Sequence, residues 1–328
     1  MKVTYFQRKA IPNFHFSVEI IFSDVRKYLP DSVRYTIETS KYYSQGIFPR
    51  IYNVLEAFFR QEGVNHVTGD INYIGLLLSK KRTIQTILDC VYMQRNSGLR
   101  MWIYKIFWVT LPVNRCKFVT TISEASKAEI VMFSRCDPDK VKVIPIALSP
   151  VFLPVERSYQ WSKPRMLMIG SAHNKNQVRM IRALEGIDCR IQIVGQFEQE
   201  IKDLLDALKM DYVYQSGFSI DQMYKAYQET DILMFASTYE GFGMPLIEAQ
   251  ATGVIPVTSN ISSMPEVAGE GGAVFVDPYD VQSIRQGVLN AIHDQQLRAS
   301  IHKKGFENVK RFEPRRISEM YVELYKQI

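Results

Sequence analysis

Two glutamates and a short glycine-rich loop form the segment of this sequence best suited to chemistry. Glu240 and Glu248 have seven residues between them and flank Gly241 and Gly243. The loop follows an apolar run and opens a helical pattern, so its amides and the helix dipole favour an anion such as a diphosphate. Carboxylates at these two positions could accept hydrogen bonds from a sugar and from a ribose diol. Strand, glycine loop and helix also occur without any ligand, so the residues alone leave both interpretations open.

The whole segment 237–253 resembles the signature of the retaining glycosyltransferases of family 4. In that family two glutamates at this spacing flank a G-F-G-x-P loop, and residues 241–245 match that loop. Residues 254–260 and 264–269 are also similar to the family. The resemblance implies the GT-B architecture, which is an α/β fold of two facing Rossmann-like domains with parallel sheets and an interdomain cleft. It also implies that the following residues bind a nucleotide-sugar donor, with Glu240 orienting the sugar: Glu240, Gly241, Phe242, Gly243, Met244 and Glu248.

A second donor segment follows the first strand of the C-terminal half. Residues 170–176 resemble the family loop in which a basic residue contacts the donor phosphates. The resemblance assigns Gly170, Ser171, Asn174 and Lys175 to the donor, and Lys175 to catalysis through its charge. Because Asn174 stands near the place where relatives often have arginine, the phosphate clamp rests on Lys175 and on backbone amides. A solvated lysine at a helix start is the alternative.

The acceptor site is expected in the N-terminal half. Residues 66–70 resemble a family segment that faces the cleft, where Asp70 would accept a hydrogen bond from an acceptor hydroxyl and Gly69 would permit close approach. His66 fits either acceptor binding or the core. Asp89 is expected to line the same site, although Leu88 stands where many members carry a histidine that contacts the donor sugar. His15 lies where members have paired glycines, and it fits acceptor binding or a plain surface position.

The elements that position these residues alternate between strand and helix patterns along the chain. Such alternation is typical of parallel sheets covered by helices on both faces, which bind ligands at the carboxyl ends of their strands. Three prolines between residues 150 and 164 mark an interdomain connection. The prolines place a domain boundary there, and the family resemblance implies an N-terminal acceptor domain over residues 1–150, joined by a C-terminal helix over 313–328. The donor domain is expected over residues 151–312.

Charge is unevenly distributed in a chain of 328 residues with a net charge of +6. Residues 1–150 carry 21 Lys and Arg against 12 Asp and Glu, whereas residues 151–328 carry 19 against 22. A basic half suits an anionic partner such as a lipid surface or a lipid diphosphate, or it is simply a solvated face. No membrane-spanning run or signal peptide is evident, so we expect a cytoplasmic protein, with peripheral contact at the inner face of the membrane as a further hypothesis.

The hydrophobic stripe Leu99, Trp102, Ile103, Ile106 and Phe107 is interpreted as core. Three neighbours, Met101, Tyr104 and Trp108, make the same helix apolar on several sides, so membrane attachment is the alternative interpretation. Two short patterns receive structural interpretations. Residues 137–139 have a D-x-D form that their central proline assigns to a turn. Residues 263–266 have the spacing of a helix capping box.

We expect neither a metal site nor a cofactor. The chain has no H-E-x-x-H motif and no clustered Cys and His, and its four cysteines are interpreted as ordinary thiols. A recognition helix and an aromatic RNA-binding motif are both missing, which argues against a nucleic-acid partner. No G-x-G-x-x-G follows the first strand of either half, which argues against a dehydrogenase.

The leading hypothesis is a retaining hexosyltransferase in polysaccharide or lipopolysaccharide assembly. Its partners would be a nucleotide-sugar donor and a lipid-linked or oligosaccharide acceptor. The resemblance implies that the reaction proceeds without a covalent enzyme intermediate. A catalytically weak sugar-nucleotide-binding protein is the alternative, because the usual histidine is replaced by Leu88.

Overall fold

The computed structural model describes residues 1–9, 17–95, 97–158 and 161–328. The chain forms two compact units. The N-terminal unit comprises residues 1–147 and 314–328, and the C-terminal unit comprises residues 148–313.

The N-terminal unit is built on a six-stranded parallel sheet with the strand order β2-β1-β3-β4-β5-β6. Its strands are β1 (Lys2–Gln7), β2 (Arg34–Thr39), β3 (Val64–Val67), β4 (Thr83–Thr86), β5 (Phe118–Thr121) and β6 (Val141–Val143). Its helices are α1 (Ser17–Lys27), α2 (Ile47–Arg60), α3 (Val91–Arg95), α4 (Gly98–Tyr104), α5 (Leu111–Asn114) and α6 (Glu124–Ser134), with a π-helical turn over Lys105–Thr110 between α4 and α5. Every residue of β3 and β4 is buried, as expected for central strands covered on both faces.

The C-terminal unit contains a second six-stranded parallel sheet, with the order β12-β11-β10-β7-β8-β9. Its strands are β7 (Arg165–Ile169), β8 (Arg190–Val194), β9 (Asp211–Gln215), β10 (Ile232–Phe235), β11 (Ile255–Ser259) and β12 (Val274–Val276). Its helices are α7 (Gln177–Ala183), α8 (Gln199–Ala207), α9 (Ile220–Gln228), α10 (Met244–Ala251), α11 (Met264–Ala268), α12 (Val281–His293) and α13 (Gln295–Val309). The strands β7 and β10 are hydrogen-bonded neighbours, so the loops that follow them leave the same edge of the sheet.

The last helix, α14 (Pro314–Lys326), belongs to the N-terminal unit. It contributes buried tyrosines to that core, and the hydroxyl of Tyr325 lies 2.9 Å from that of Tyr5. Burial, the largest influence, raises the pKa of Tyr5 to about 12. Helix α14 therefore packs in the same unit as the first strand, β1.

Several local predictions are confirmed. The side chain of Ser123 caps α6 by accepting a hydrogen bond from the Ser126 amide, and Asp137 caps the turn over Pro138–Lys140. All four cysteines are free thiols. The edge strands β2 and β12 were not predicted. Both carry partly exposed positions, so their sequences lack the continuous apolar run of the central strands.

Two local predictions are wrong. The stripe interpreted as core is largely exposed: Leu99 is 70% and Trp102 55% accessible. No residue of α4 is buried, and the π-helical turn buries Trp108 and Val109 instead. The capping box at residues 263–266 is also not formed. Ser263 makes no side-chain cap hydrogen bond to α11, since its hydroxyl points to carbonyls of the glycine-rich loop. Within the described residues, no helix has both the length and the apolar character needed to span a membrane.

Candidate functional site

The glycine-rich loop after β10 is shaped by a residue in the left-handed region of the backbone. Gly243 has a φ of +103° and precedes the first turn of α10. A Cβ atom there would lie 3.3 Å from both the Leu246 and Phe235 side chains. Phe242 is buried and meets Phe312 edge to face, with ring centroids 5.7 Å apart. Glycine and phenylalanine together fix the loop so that its backbone meets the start of the helix.

Two serines hold the backbone of Glu240. The Ser262 hydroxyl donates to the Glu240 carbonyl at 2.7 Å, and its oxygen accepts from the Glu240 amide at 3.3 Å. The Ser263 hydroxyl lies 2.9 Å from the same carbonyl and 2.7 Å from that of Phe242. Ser262 adopts a positive φ of 58°, which is uncommon for a residue with a side chain. This role of the two serines was not predicted, because paired serines before a short helix indicate helix capping first.

The side chains of Lys175 and Glu240 form an ion pair at 2.7 Å, with only 20% and 12% of the side chains accessible. Lys175 lies in the turn after β7, and its ammonium is 5.1 Å from the centroid of the Phe235 ring. Gly170, at φ +86°, leaves room for this lysine, because a Cβ atom there would come within 2.9 Å of the Lys175 Cε. The structure thus brings together two residues that are 65 positions apart, both of which were predicted to bind the donor.

The loop after β7 is tied to the glycine-rich loop by hydrogen bonds. Asn174 donates from Nδ2 to the Tyr239 carbonyl at 2.8 Å, and its own carbonyl accepts from the Thr238 amide at 2.8 Å. The hydroxyl of Ser171 accepts from the Gln196 amide at 3.1 Å. Asn174 therefore links the two loops that carry Lys175 and Glu240.

Glu248 lies on α10, beyond the glycine-rich loop. Its Oε2 accepts a hydrogen bond of 2.8 Å from the hydroxyl of Tyr227, whose ring is fully buried. Burial raises the pKa of Glu248 to about 7, against a smaller opposing effect of the tyrosine hydrogen bond. This carboxyl consequently changes protonation near neutral pH. Tyr227 was not singled out from the sequence, because a tyrosine on an amphipathic helix usually belongs to the core.

A cavity of about 260 Å³ lies at the carboxyl ends of β3 and β4 in the N-terminal unit. We call it the acceptor pocket, after the role that the sequence predicts for its residues. Three residues predicted for the acceptor, Gly69, Asp70 and Asp89, line this pocket, and so does Leu88. The other lining residues are Val18, Thr68, Asn72, Thr86, Ile87, Val91, Tyr92 and Tyr104.

The two carboxylates of the acceptor pocket lie in different surroundings. The side chain of Asp70 is accessible from the pocket, yet the protein around it limits its solvation and raises its pKa to about 6. The charge of Asp89 acts in the same direction, whereas Arg8 and a hydrogen bond from Tyr104 oppose it. Asp89 accepts a hydrogen bond from the Val91 amide at 3.0 Å. Asp70 therefore changes protonation near pH 6.

His66 does not reach the acceptor pocket. It is fully buried, with Nδ1 2.8 Å from the Tyr325 hydroxyl and Nε2 2.8 Å from that of Thr86. Burial lowers its pKa to about 3, so the ring stays neutral. The acceptor-binding assignment of His66 is therefore wrong, and its role is in the core. His15 lies outside the described residues. Among the described residues, no three His, Cys, Asp or Glu side chains are grouped closely enough to hold a metal ion.

Part of the chain matches a known family, and several curated proteins are similar to it. Residues 159–308 match the family of glycosyl transferases group 1. O-antigen chain mannosyltransferase B of Escherichia coli is 26% identical over 235 residues, which cover 65% of this chain and 61% of that protein. The MMP α-(1→4)-mannosyltransferase of Mycolicibacterium hassiacum is 28% identical over 179 residues, covering 50% and 42% respectively. The chain thus spans about half of the length of these curated relatives.

A solved structure shows the same fold over the whole chain. Anabaena Alr3699/HepE in complex with UDP-glucose superposes with a TM-score of 0.81 at 16% identity, covering 100% of both chains. Two parallel Rossmann-like sheets, the glycine-rich loop between two glutamates and the family match agree with one another. The chain has the GT-B fold, and its residues 159–308 match the glycosyl transferases group 1.

Proposed function

We propose that the protein is a retaining glycosyltransferase that moves a hexose from a nucleotide-diphosphate sugar to a lipid-linked or oligosaccharide acceptor in polysaccharide or lipopolysaccharide assembly. The C-terminal unit binds the donor, and the N-terminal unit binds the acceptor. The observation that carries this proposal is the grouping of Lys175 and Glu240, 2.7 Å apart, beside the loop that leads to Glu248.

Each donor residue has a role that follows from its position. Lys175 and the open amides at the start of α10 stabilise the departing diphosphate, in which negative charge develops. Losing one such electrostatic contact lowers turnover about 10²- to 10³-fold in other enzymes. Glu240 orients the sugar, with its backbone fixed by Ser262 and Ser263. Glu248 accepts hydrogen bonds from the ribose hydroxyls.

In the proposed transfer, the bond between the anomeric carbon and the diphosphate oxygen breaks. The acceptor hydroxyl oxygen forms the new bond from the same face, which retains the configuration, and its proton passes to the leaving diphosphate. Asp70 accepts a hydrogen bond from the acceptor hydroxyl and so orients it. With a pKa of about 6, Asp70 is ionised and able to accept at neutral pH.

Mannose is the hexose that we propose first. Both curated relatives described above are named mannosyltransferases, and the name of one of them refers to the O-antigen chain. The Anabaena structure holds UDP-glucose, so glucose from a uridine donor is the next candidate. GDP-mannose and UDP-glucose are therefore the first two donors to compare.

Catalysis is proposed to need neither a metal ion nor a cofactor. The lysine and the helix amides supply the positive charge that a metal ion supplies in other transferases. Turnover that is unchanged by excess EDTA would support this, whereas loss of turnover restored by Mg²⁺ or Mn²⁺ would contradict it.

We also propose peripheral contact with the inner face of a membrane through the N-terminal unit. The support is an exposed apolar surface on α2 and α4, where Phe48 is 85%, Phe59 81% and Leu99 70% accessible. The segment 98–114 contains Arg100 and Lys105 but no acidic residue, which suits anionic lipids. Sedimentation with vesicles containing phosphatidylglycerol, compared with pure phosphatidylcholine vesicles, measures this contact. Phe59→Glu should weaken it.

A second candidate function is sugar-nucleotide binding with weak catalysis. Leu88 lines the acceptor pocket where the family resemblance expects a histidine, so one polar contact to the donor sugar is missing. Tight donor binding by calorimetry, with no turnover over a broad acceptor panel, would favour this candidate.

The decisive experiment measures hydrolysis and transfer of isotope-labelled GDP-mannose and UDP-glucose. Lys175→Ala and Glu248→Ala should each lose most of the activity, whereas Lys202→Ala should not. Lys202 is a matched control, since it is an exposed lysine paired with Asp206 on α8. Unchanged rates in both site variants would refute the site assignment. The anomeric configuration of the product, read by NMR, tests retention.

A further inference from the structure

A second cavity of about 660 Å³ lies in the N-terminal unit, between α2 and the segment formed by α4 and the π-helical turn. We call it the apolar groove. Ten of its lining side chains are aliphatic or aromatic: Ile47, Ile51, Val54, Leu55, Tyr73, Leu76, Leu77, Ile103, Phe107 and Trp108. Its volume falls in the range of small-molecule sites, and its lining suits a hydrocarbon chain.

The one charged side chain in the lining of the groove is Arg50. Its guanidinium lies 4.8 Å from the centroid of the Trp108 ring, and Nη2 donates to the Ser44 carbonyl at 2.9 Å. Its Nε is buried and has no hydrogen-bond partner. No carboxylate of the described residues forms an ion pair with Arg50 within 4 Å. The positive charge of Arg50 does act on Asp70 of the acceptor pocket, whose pKa it lowers, but the two side chains form no direct ion pair. A partly buried cation without a direct ion pair is stabilised by an anion that reaches it.

The apolar groove and the acceptor pocket share a wall. Trp108 lines the groove, and its ring stacks on that of Tyr104, which lines the pocket, with centroids 5.4 Å apart and planes at 13°. Asn72, which lines the pocket, donates from Nδ2 to the Trp108 carbonyl at 3.0 Å. Trp108 in turn donates from Nε1 to the carbonyl of Asp70 at 3.5 Å. Arg50 therefore lies near the boundary between an apolar site and a polar one.

We propose that the apolar groove binds the hydrocarbon chain of an acceptor linked to an isoprenyl diphosphate, and that Arg50 pairs with its diphosphate while the glycan enters the acceptor pocket. The proposal rests on the proposed function and specifies its acceptor. Such a molecule has an apolar tail, two phosphates and a polar sugar in that order. The groove, Arg50 and the pocket present the matching surfaces in the same order.

A bilayer surface is a poorer occupant of the groove itself. Phe48 and Phe59, the most exposed aromatic side chains of α2, do not line the groove, and they suit a flat lipid surface better. A single chain, by contrast, gains about fourfold in affinity for each methylene group that it buries. An anion on that chain would also pair with the positive charge of the Arg50 guanidinium.

The test is calorimetric titration of the whole protein with farnesyl diphosphate, farnesol and inorganic diphosphate. Farnesyl diphosphate should bind more tightly than either fragment, and excess UDP should not displace it. Arg50→Gln should weaken farnesyl diphosphate about ten- to a hundredfold and leave farnesol unchanged, because only a charge-assisted contact is lost. Ile51→Glu should weaken both. Arg100→Gln, an exposed arginine outside the groove, and Phe59→Glu serve as controls that should leave both unchanged.

Three results would overturn the proposal. Inorganic diphosphate that binds as well as farnesyl diphosphate would show that the groove is unused. Equal binding of farnesyl diphosphate to the wild type and to Arg50→Gln would remove the role of Arg50. Loss of vesicle binding in Ile51→Glu, without any binding of farnesyl diphosphate to the wild type, would assign the groove to the membrane. Titration with GDP and UDP separates failure of the groove proposal from failure of the proposed function. A protein that binds a nucleotide but not farnesyl diphosphate would keep the proposed donor site and refute only the proposal for the groove.

Discussion

The protonation of Glu248 makes a prediction that distinguishes a ligand-binding carboxyl from a structural one. Its pKa of about 7 lies above the ordinary glutamate value of 4.5 because the surrounding protein limits its solvation. The folded protein therefore holds this proton more tightly than the unfolded chain does. Stability contributed by the protonated form is present below pH 4.5 and is lost as the pH rises to about 7.

The substitution Glu248→Gln removes this titration while keeping the shape of the side chain and the acceptor for the Tyr227 hydroxyl. A difference of about 2.5 pKa units corresponds to about 3 kcal/mol, at 1.36 kcal/mol for each unit. We expect the free energies of unfolding of the two proteins to be similar at pH 4. At pH 8 the variant should be the more stable by up to about 3 kcal/mol.

Urea unfolding of the C-terminal unit can be followed through Trp161. The chain has three tryptophans, and the other two, Trp102 and Trp108, lie in the N-terminal unit, so both are replaced by phenylalanine in the reference protein. Trp161 packs against the core of the C-terminal unit, 4.9 Å from the Arg298 guanidinium. Its fluorescence should therefore change when that unit unfolds. Measurements at pH 4 to 8 give the difference between reference and variant directly.

The substitution Glu248→Gln should also weaken binding of the nucleotide-sugar donor. An ionised Glu248 would accept hydrogen bonds from two ribose hydroxyls, so the donor affinity of the wild type should rise as the pH increases through about 7. Above that pH the variant should bind the donor about tenfold or more weakly than the wild type. A variant that is no more stable at pH 8 would refute the raised pKa. A variant that gains stability but binds the donor as before would refute the contact with ribose.

Three further predictions concern other contacts. Lys175→Gln should lower turnover about 10²-fold or more. Because Lys175 and Glu240 form one ion pair, the double variant with Glu240→Gln should lose less turnover than the product of the two single losses. Losses that multiply in this double-mutant cycle would contradict the prediction. Ser263→Ala should reduce kcat by misplacing the Glu240 backbone, with little change in thermal stability; equal kcat would show that Ser262 suffices. His66→Gln should destabilise the N-terminal unit by about 1 to 3 kcal/mol at pH 7, as measured by urea unfolding. It should also reduce the loss of stability that the wild type shows as the pH falls from 6.5 toward 3. An unchanged loss of stability over this pH range would show that His66 is not held neutral.

The grouping of the two loops assigned to the donor was the most predictable part of the candidate site. A lysine in a glycine loop after one strand and two glutamates at fixed spacing after another are local motifs that resemble the family, so residues 170–175 and 240–248 could be assigned together before any contact was known. Their role in donor binding stays a prediction. The parallel sheets were also predictable, because central strands buried on both faces appear as continuous apolar runs. Contacts between distant residues were not predictable in this way. The serines that hold Glu240 lie 22 and 23 positions beyond it.

The acceptor side shows where sequence patterns stop being informative. Apolar residues at helical spacing fit a buried helix face and an exposed one equally well. The pattern of residues 99–107 therefore does not predict that Trp108 is the side chain buried in the core. The choice for His66 depended on a partner at the other end of the chain. Tyr325, which closes the core over that histidine, lies 259 residues away.

This long-range contact also bears on how the acceptor pocket is maintained. The strand β3 ends at residue 67, immediately before Gly69 and Asp70, and His66 in that strand bonds to Tyr325 of α14. Tyr325 in turn bonds to Tyr5 in β1, the strand next to β3. The last helix thus fixes two adjacent strands whose following loops carry Arg8 and Asp70. Because the family match ends at residue 308, the segment that completes the N-terminal unit lies outside the region by which the family is identified.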